Sequence, residues 1–222
     1  MDHLERLARA HTRLVVGLDF SFSFPAWWMA ERGWRDAPSA WSAAAREGEA
    51  WLRRCAPPFW GRPGRVAPPV DRRRPALRAT EAEVAPVGGV RPCSTFQIGG
   101  AGAVGTASVR GMPLLARLRS GGFRVWPFDA PGFPVVVEIY PRTFTGPVRK
   151  SDGAERRKLL SRSFPGLDPA LSEMAARTED AFDAAVSGLV MAAHNPELAA
   201  LPHLTDRRSR TEGRVWEPSE WS

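Results

Sequence analysis

The sequence predicts an α/β protein. Two short apolar runs read as buried strands, one long amphipathic run reads as a helix, and strand-like and helical segments alternate along the chain. The first strand is Leu14-Val15-Val16-Gly17-Leu18-Asp19-Phe20, an apolar run ending in a carboxylate. The second is Pro134-Val135-Val136-Val137-Glu138-Ile139-Tyr140, closed by Pro141. The helix spans Thr178 to His194, with Phe182, Ala185, Val186, Leu189 and Ala193 as its apolar stripe and Asn195-Pro196 as its stop.

The remaining elements follow in order. Asp2 to His11 reads as a short helix with Leu4, Leu7 and Ala8 on one face. Trp27, Trp28 and Trp34 belong to a helical stretch ended by Gly33. An irregular Pro/Arg-rich insertion is expected over about 37–92, with a helix around Ala40 to Arg54. Beyond it, Pro57, Pro58, Pro63, Pro68, Pro69, Pro75 and Pro86 forbid a long helix or a central strand. Ser94 to Ile98 reads as a short strand before a glycine-rich loop. Thr106 to Ser120 reads as a helix interrupted at Gly111-Met112-Pro113, and Phe123 to Asp129 as another strand. Glu155 to Ser163 and Pro169 to Arg177 are helical. Residues 1–205 are expected to form a single domain, and residues 206–222 a polar tail.

A chain of 222 residues with 43% hydrophobic and 25% charged residues suits a globular protein and excludes collagen, wholesale disorder and a disulfide scaffold. Lys and Arg total 31 against 24 Asp and Glu, a net charge of +7. Lys150 and Lys158 are the only lysines, and isoleucine occurs only at Ile98 and Ile139. That alphabet suggests a GC-rich genome, so the arginine excess reads equally as codon bias or as a nucleic-acid-facing patch. Arg62, Arg65, Arg72, Arg73, Arg74 and Arg78, interleaved with Phe59 and Trp60, are the candidate patch. Cys55 and Cys93 stand apart, and His3, His11, His194 and His203 have no zinc-site spacing. No apolar run approaches the ~20 residues of a membrane helix, and the charged N-terminus is no signal peptide. A cytoplasmic setting without a membrane partner is the expectation.

Gly100-Ala-Gly102-Ala-Val-Gly105 is a literal G-x-G-x-x-G. A dinucleotide fold needs a strand before it, an unbroken helix after it and an acid about 20 residues on. Here the match is partial, and the next acid is Asp129. Close backbone packing, or phosphate contact with Arg110 alongside, are the competing readings. The carboxylates carry more. Asp19 ends one apolar strand and Glu138 lies within another, where an unpaired acid is costly. Each needs an arginine such as Arg142, a backbone cap or a cation. Asp180 and Asp183 open the long helix at i and i+3. Dipole complementarity accounts for Asp180, but less well for Asp183, which borders the apolar stripe. Acids from two strand ends and a helix start are also what a divalent-metal phosphodiesterase needs.

Four stretches together resemble the "domain of unknown function 429" family, predicted nucleases of the ribonuclease H-like superfamily. They are Val15-Val-Gly-Leu-Asp-Phe-Ser-Phe-Ser-Phe-Pro25, Ser94-Thr-Phe-Gln-Ile-Gly-Gly-Ala-Gly-Ala-Val-Gly-Thr106, Val137-Glu-Ile-Tyr-Pro-Arg142 and Glu179-Asp-Ala-Phe-Asp-Ala-Ala185. The resemblance implies a ribonuclease H-like mixed sheet flanked by helices, and a metal-dependent nuclease. It implies that Asp19, Asp180 and Asp183 hold Mg²⁺ or Mn²⁺, with Glu138 a fourth catalytic candidate. Gln97, Gly100, Gly102, Gly105, Arg110 and Arg142 are the candidate binding residues. One departure follows from the same resemblance. Such domains begin with a β-hairpin carrying the first catalytic aspartate, and this chain starts in the helix before the Asp19 strand. The expectation is a truncated or degenerate member, of weak activity, whose Leu14–Phe20 strand has an open edge prone to self-association. The alternatives are a non-catalytic nucleotide- or phosphate-binding module built on the glycine loop, and a structural or interaction protein.

Overall fold

The computed structural model describes residues 2–219. Along the chain it contains α1 (Asp2–Ala10), β1 (Val15–Leu18), α2 (Ala26–Glu31), α3 (Ala37–Arg54), α4 (Ala79–Glu83), α5 (Gly105–Ser120), β2 (Arg124–Val125), β3 (Val135–Glu138), α6 (Pro141–Thr145), α7 (Gly153–Ser163), α8 (Pro169–Ala176), α9 (Glu179–Ala193), α10 (Asn195–Ala199) and α11 (Arg207–Glu212). The class is α/β. No helix among the described residues is long and apolar enough to cross a membrane. The chain divides into two compact units. The first holds the stretch up to Ala85, Arg91–Ile139 and Leu201–Trp216; the second holds Pro86–Val90, Tyr140–Ala200 and the stretch from Glu217.

The first unit contains the sheet, three parallel strands in the order β1-β3-β2. Val15 pairs with Val135 and Leu18 with Glu138, so β1 and β3 end together. Central β3 is buried throughout, as an unbroken Val-Val-Val run requires, whereas edge strand β1 is half-buried. Among the described residues β1 pairs only with β3, so its outer edge carries no strand, as expected of Leu14–Phe20.

Helices α3 and α5 form the main helical layer. Gly48 permits their approach, since a Cβ there would lie 2.8 Å from the Val109 side chain. The expected interruption of α5 does not occur, and the helix runs through Pro113. An interior proline costs about 3 kcal/mol. Val109, Met112, Leu115 and Leu118 are all buried on that helix, each contributing about 1.5–3 kcal/mol, so burial wins. Beside this layer Phe24, Trp28, Trp34, Trp51, Phe59 and Phe96 form one aromatic cluster, with ring centroids 4.5 Å apart for Phe24–Trp28. Phe59 is therefore core and is not available to stack on a base.

Three local expectations differ from the structure. Ser94 to Ile98 is not a strand; Gln97 makes a single bridge with Trp60. The strand expected over Phe123–Asp129 is only Arg124–Val125, because Asp129 turns back to accept the Val125 N–H at 2.9 Å. Residues from 206 are not a polar tail: α11 folds there, and Val215 and Trp216 are buried, with Val215 bridged to Glu138. The reason is tertiary. The Glu212 carboxylate accepts the Ala26 N–H at 2.6 Å and the Ala79 N–H at 2.7 Å, so this polar helix closes the first unit.

The second unit is helical. In it α9 packs on α6 and α8, with the Thr178 hydroxyl accepting the Ala181 N–H as N-cap. Its buried face is Phe182, Val186, Ser187, Val190 and Met191, so the expected stripe holds at Phe182 and Val186 but turns away from Ala193. Buried Arg156 joins α7 to the end of α8 by donating to the Ala176 carbonyl at 2.9 Å.

Candidate functional site

Parallel sheets gather function at the carboxyl ends of their strands. In the first unit that end is formed by Leu18 and Glu138, which are register partners. Asp19 follows directly and is exposed. After it, Ser21 to Pro25 turn inward and are buried, as a loop needs polar partners to be. Those partners are a cluster that the sequence did not reveal. The Arg78 guanidinium, wholly buried, donates to Glu138 through both terminal nitrogens, to Glu81 through Nε at 3.0 Å, and to the Glu212 carbonyl at 2.8 Å. Glu138 also accepts the Phe22 N–H at 2.9 Å. The Ser21 hydroxyl donates to Glu81 at 2.8 Å, and the Ser21 N–H to the Ser108 hydroxyl at 2.9 Å.

Burial pushes the Glu138 carboxyl above its ordinary range, with Glu81 adding to the effect, against the pull of Arg78 and the Phe22 N–H. Burial also opposes the charge on Arg78, but Glu138 and Glu81 together hold its pKa above the usual arginine value. Glu138 thus meets the requirement read from the sequence, that a strand-buried acid be paired. Its partner is Arg78 rather than Arg142, whose guanidinium donates to the Val148 carbonyl at 2.8 Å. The consequence is chemical: Glu138 positions the loop after Asp19 through Phe22 and has its oxygens engaged.

The glycine loop is built for close packing. A Cβ on Gly105 would lie 2.4 Å from the Thr95 carbonyl oxygen and 2.6 Å from that of Gln97. Gly100 and Gly102 have positive φ, 85° and 70°, which favours glycine. The Gln97 amide donates to the Ala101 carbonyl at 3.1 Å and closes the loop on itself. Arg110 turns to α3, where its guanidinium meets both oxygens of exposed Glu49 at 2.7 and 3.1 Å. Asp129, the acid a dinucleotide fold would need, caps β2 and pairs with Arg119 at 2.7 Å.

Asp180 and Asp183 lie in the second unit, on the first turns of α9. Asp180 is exposed. Asp183 is half-buried, and the Lys150 ammonium sits 2.7 Å from one of its oxygens and 2.8 Å from the other. Burial pushes the Asp183 carboxyl up, helped by Asp180 and Glu179, while Lys150 pulls it down. One of the chain's two lysines thus neutralises the acid that the helix dipole alone did not explain. Ser187, on the next turn, is buried with its hydroxyl unpartnered among the described residues.

Among the described residues no three His, Cys, Asp or Glu side chains gather as a metal-holding group. Mg²⁺ does not require one, since it keeps several waters and is commonly held by one or two carboxylates together with substrate phosphates. An exposed carboxylate at a strand end fits that donor set; Glu138, bound into the Arg78 cluster, does not. No protein-family model, no curated protein and no solved structure matches the chain.

Proposed function

We propose that the chain is a metal-dependent nuclease of ribonuclease H-like type, as its resemblance to the domain of unknown function 429 family implies, and that it acts in the cytoplasm. The observation that carries the reading is the place of Asp19, exposed at the carboxyl end of β1 beside the end of β3. Asp19 would be the first unit's ligand to Mg²⁺ or Mn²⁺. Such an ion supplies an activated water and neutralises charge on a phosphodiester. Glu138 is a positioning residue, acting through the Phe22 N–H on the loop that follows Asp19. Asp180 and Asp183 are the metal candidates of the second unit, and Asp183 must first release Lys150.

The test is hydrolysis of labelled DNA and RNA strands with and without Mg²⁺ or Mn²⁺. Metal-dependent cleavage that Asp19→Asn abolishes, with melting temperature unchanged, is the expected result. Cleavage that survives Asp19→Asn, or proceeds fully in EDTA, would refute the assignment.

A second reading is non-catalytic nucleic-acid or phosphate binding. It is favoured by the engagement of Glu138 with Arg78 and of Asp183 with Lys150. Binding without turnover at any metal concentration would select it. Self-association belongs to the same proposal, because the outer edge of β1 offers unpaired backbone groups to a second copy. A concentration-dependent sedimentation coefficient is the expected sign of it.

A further inference from the structure

A cleft of about 920 Å³ lies in the first unit, between α2 with the turn after it and α11. Arg35 and Trp34 line one wall, and Arg207, Arg208 and Arg210 the other. Arg35, Arg207 and Arg210 form no ion pair with any described carboxylate, so three uncompensated guanidinium groups line one cleft. Arg208 pairs only with Glu83, both side chains being 59% exposed, where an ion pair contributes little. The one lining carboxylate, Asp36, is engaged as the N-cap of α3 and accepts from the Ser39 N–H and hydroxyl. Codon bias accounts for the number of arginines. It does not account for several unpaired ones converging on one concavity, where mutual repulsion favours a bound anion.

We propose that this cleft binds single-stranded nucleic acid, with Arg35, Arg207 and Arg210 on phosphates and the half-buried Trp34 beside a base. The volume exceeds what one phosphate fills, and cations on two walls suit a backbone passing between them. Guanidinium groups with an aromatic ring are the elements of single-strand grooves. The inference deepens the nuclease reading, on which it rests for its biological meaning, by naming the substrate class. It also relocates the basic contact surface. The 62–74 loop carries exposed arginines, but Phe59 is core, Arg78 is buried, and Arg74 pairs with Glu31 at 2.7 Å.

The experiment measures binding of fluorescein-labelled oligodeoxythymidine of about 16 nucleotides by anisotropy, in EDTA, across a salt series. Each phosphate contact to a single strand contributes about 0.7 to the slope of log affinity against log salt. The triple variant Arg35→Ser/Arg207→Ser/Arg210→Ser should flatten that slope by about 2, with circular dichroism unchanged. Arg62→Ser/Arg72→Ser/Arg73→Ser should leave it nearly intact. An unchanged slope in the cleft variant overturns the proposal. So does a slope lost in the loop variant instead, duplex DNA binding as tightly as the single strand, or complete displacement by inorganic pyrophosphate at equal concentration. Binding here together with no cleavage by the wild type in the hydrolysis test refutes the nuclease reading and leaves this one standing. Undiminished cleavage by the cleft variant does the reverse.

Discussion

Arg78 and Glu138 meet end to end in the interior: Nη1 donates to Oε2 at 2.9 Å, Nη2 donates to Oε1, and the side chains are 0% and 4% exposed. They lie 60 residues apart in sequence. The pair, with Glu81 as its third member, joins the end of the sheet to the turn before α4 and to the end of α11.

Removing Arg78 leaves two buried carboxylates without their cation. Breaking a buried pair in this way costs about 3–5 kcal/mol, so Arg78→Met should lose stability of that order in urea denaturation at neutral pH. The loss depends on pH with a definite sign. The Glu138 carboxyl already titrates above its ordinary value of 4.5, and it rises further once Arg78 is gone. A raised folded-state pKa contributes stability that is complete below the unfolded value and lost as pH rises through the folded one. Arg78→Met should therefore lie closest to wild type near pH 4.5 and furthest from it at neutral pH. Equal losses at both would show that the carboxylates are not responsible.

The glycine loop separates packing from ligand binding. Gly105→Ala places a methyl group 2.4 Å from the Thr95 carbonyl oxygen, so backbone must shift. Overpacking of this kind costs about 1–3 kcal/mol. At Gly102 the nearest atom to an added Cβ is the Cys93 sulfur at 3.3 Å, and the cost is the left-handed backbone, about 1–2 kcal/mol. Thermal denaturation of the two variants should rank Gly105→Ala as the less stable. The opposite order would mean that Thr95 and Gln97 yield easily and that the loop is not a packing device.

The C-terminal segment is predicted to be essential to the first unit. Glu212→Ala leaves the N–H groups of Ala26 and Ala79 without acceptors. Each such charge-assisted bond contributes about 1.5–3 kcal/mol, so a loss of about 3 kcal/mol is expected. Glu217→Ala, on an exposed position, should stay within about 0.5 kcal/mol. Denaturation of Glu212→Gln, which keeps one acceptor oxygen, should recover part of the loss; no recovery would mean that volume rather than hydrogen bonding is at stake.

Local structure was legible in the residue pattern. Alternating segments with clear periods or breakers announced α/β, and β1, β3, α1, α3, α7, α8 and α9 formed close to where those patterns lie. Burial physics applied to Val135–Ile139 also required a partner for Glu138, and it has one. The identity of that partner was not legible. Arg78 sits in a Pro/Arg-rich stretch where its neighbours are exposed loop cations, and nothing in its local context marks it as the one that goes inside. Glu212 was hidden in the same way within a polar segment. Asp129 stood where a ribose-binding acid could, yet it caps a strand. Which charges are buried and which cation each buried carboxylate takes depends on packing, because the choice is settled by desolvation. The partners that desolvation brings together are 60 residues apart for Arg78 and the Glu138 carboxylate, and 134 for Arg78 and the Glu212 backbone carbonyl, beyond the reach of any periodicity.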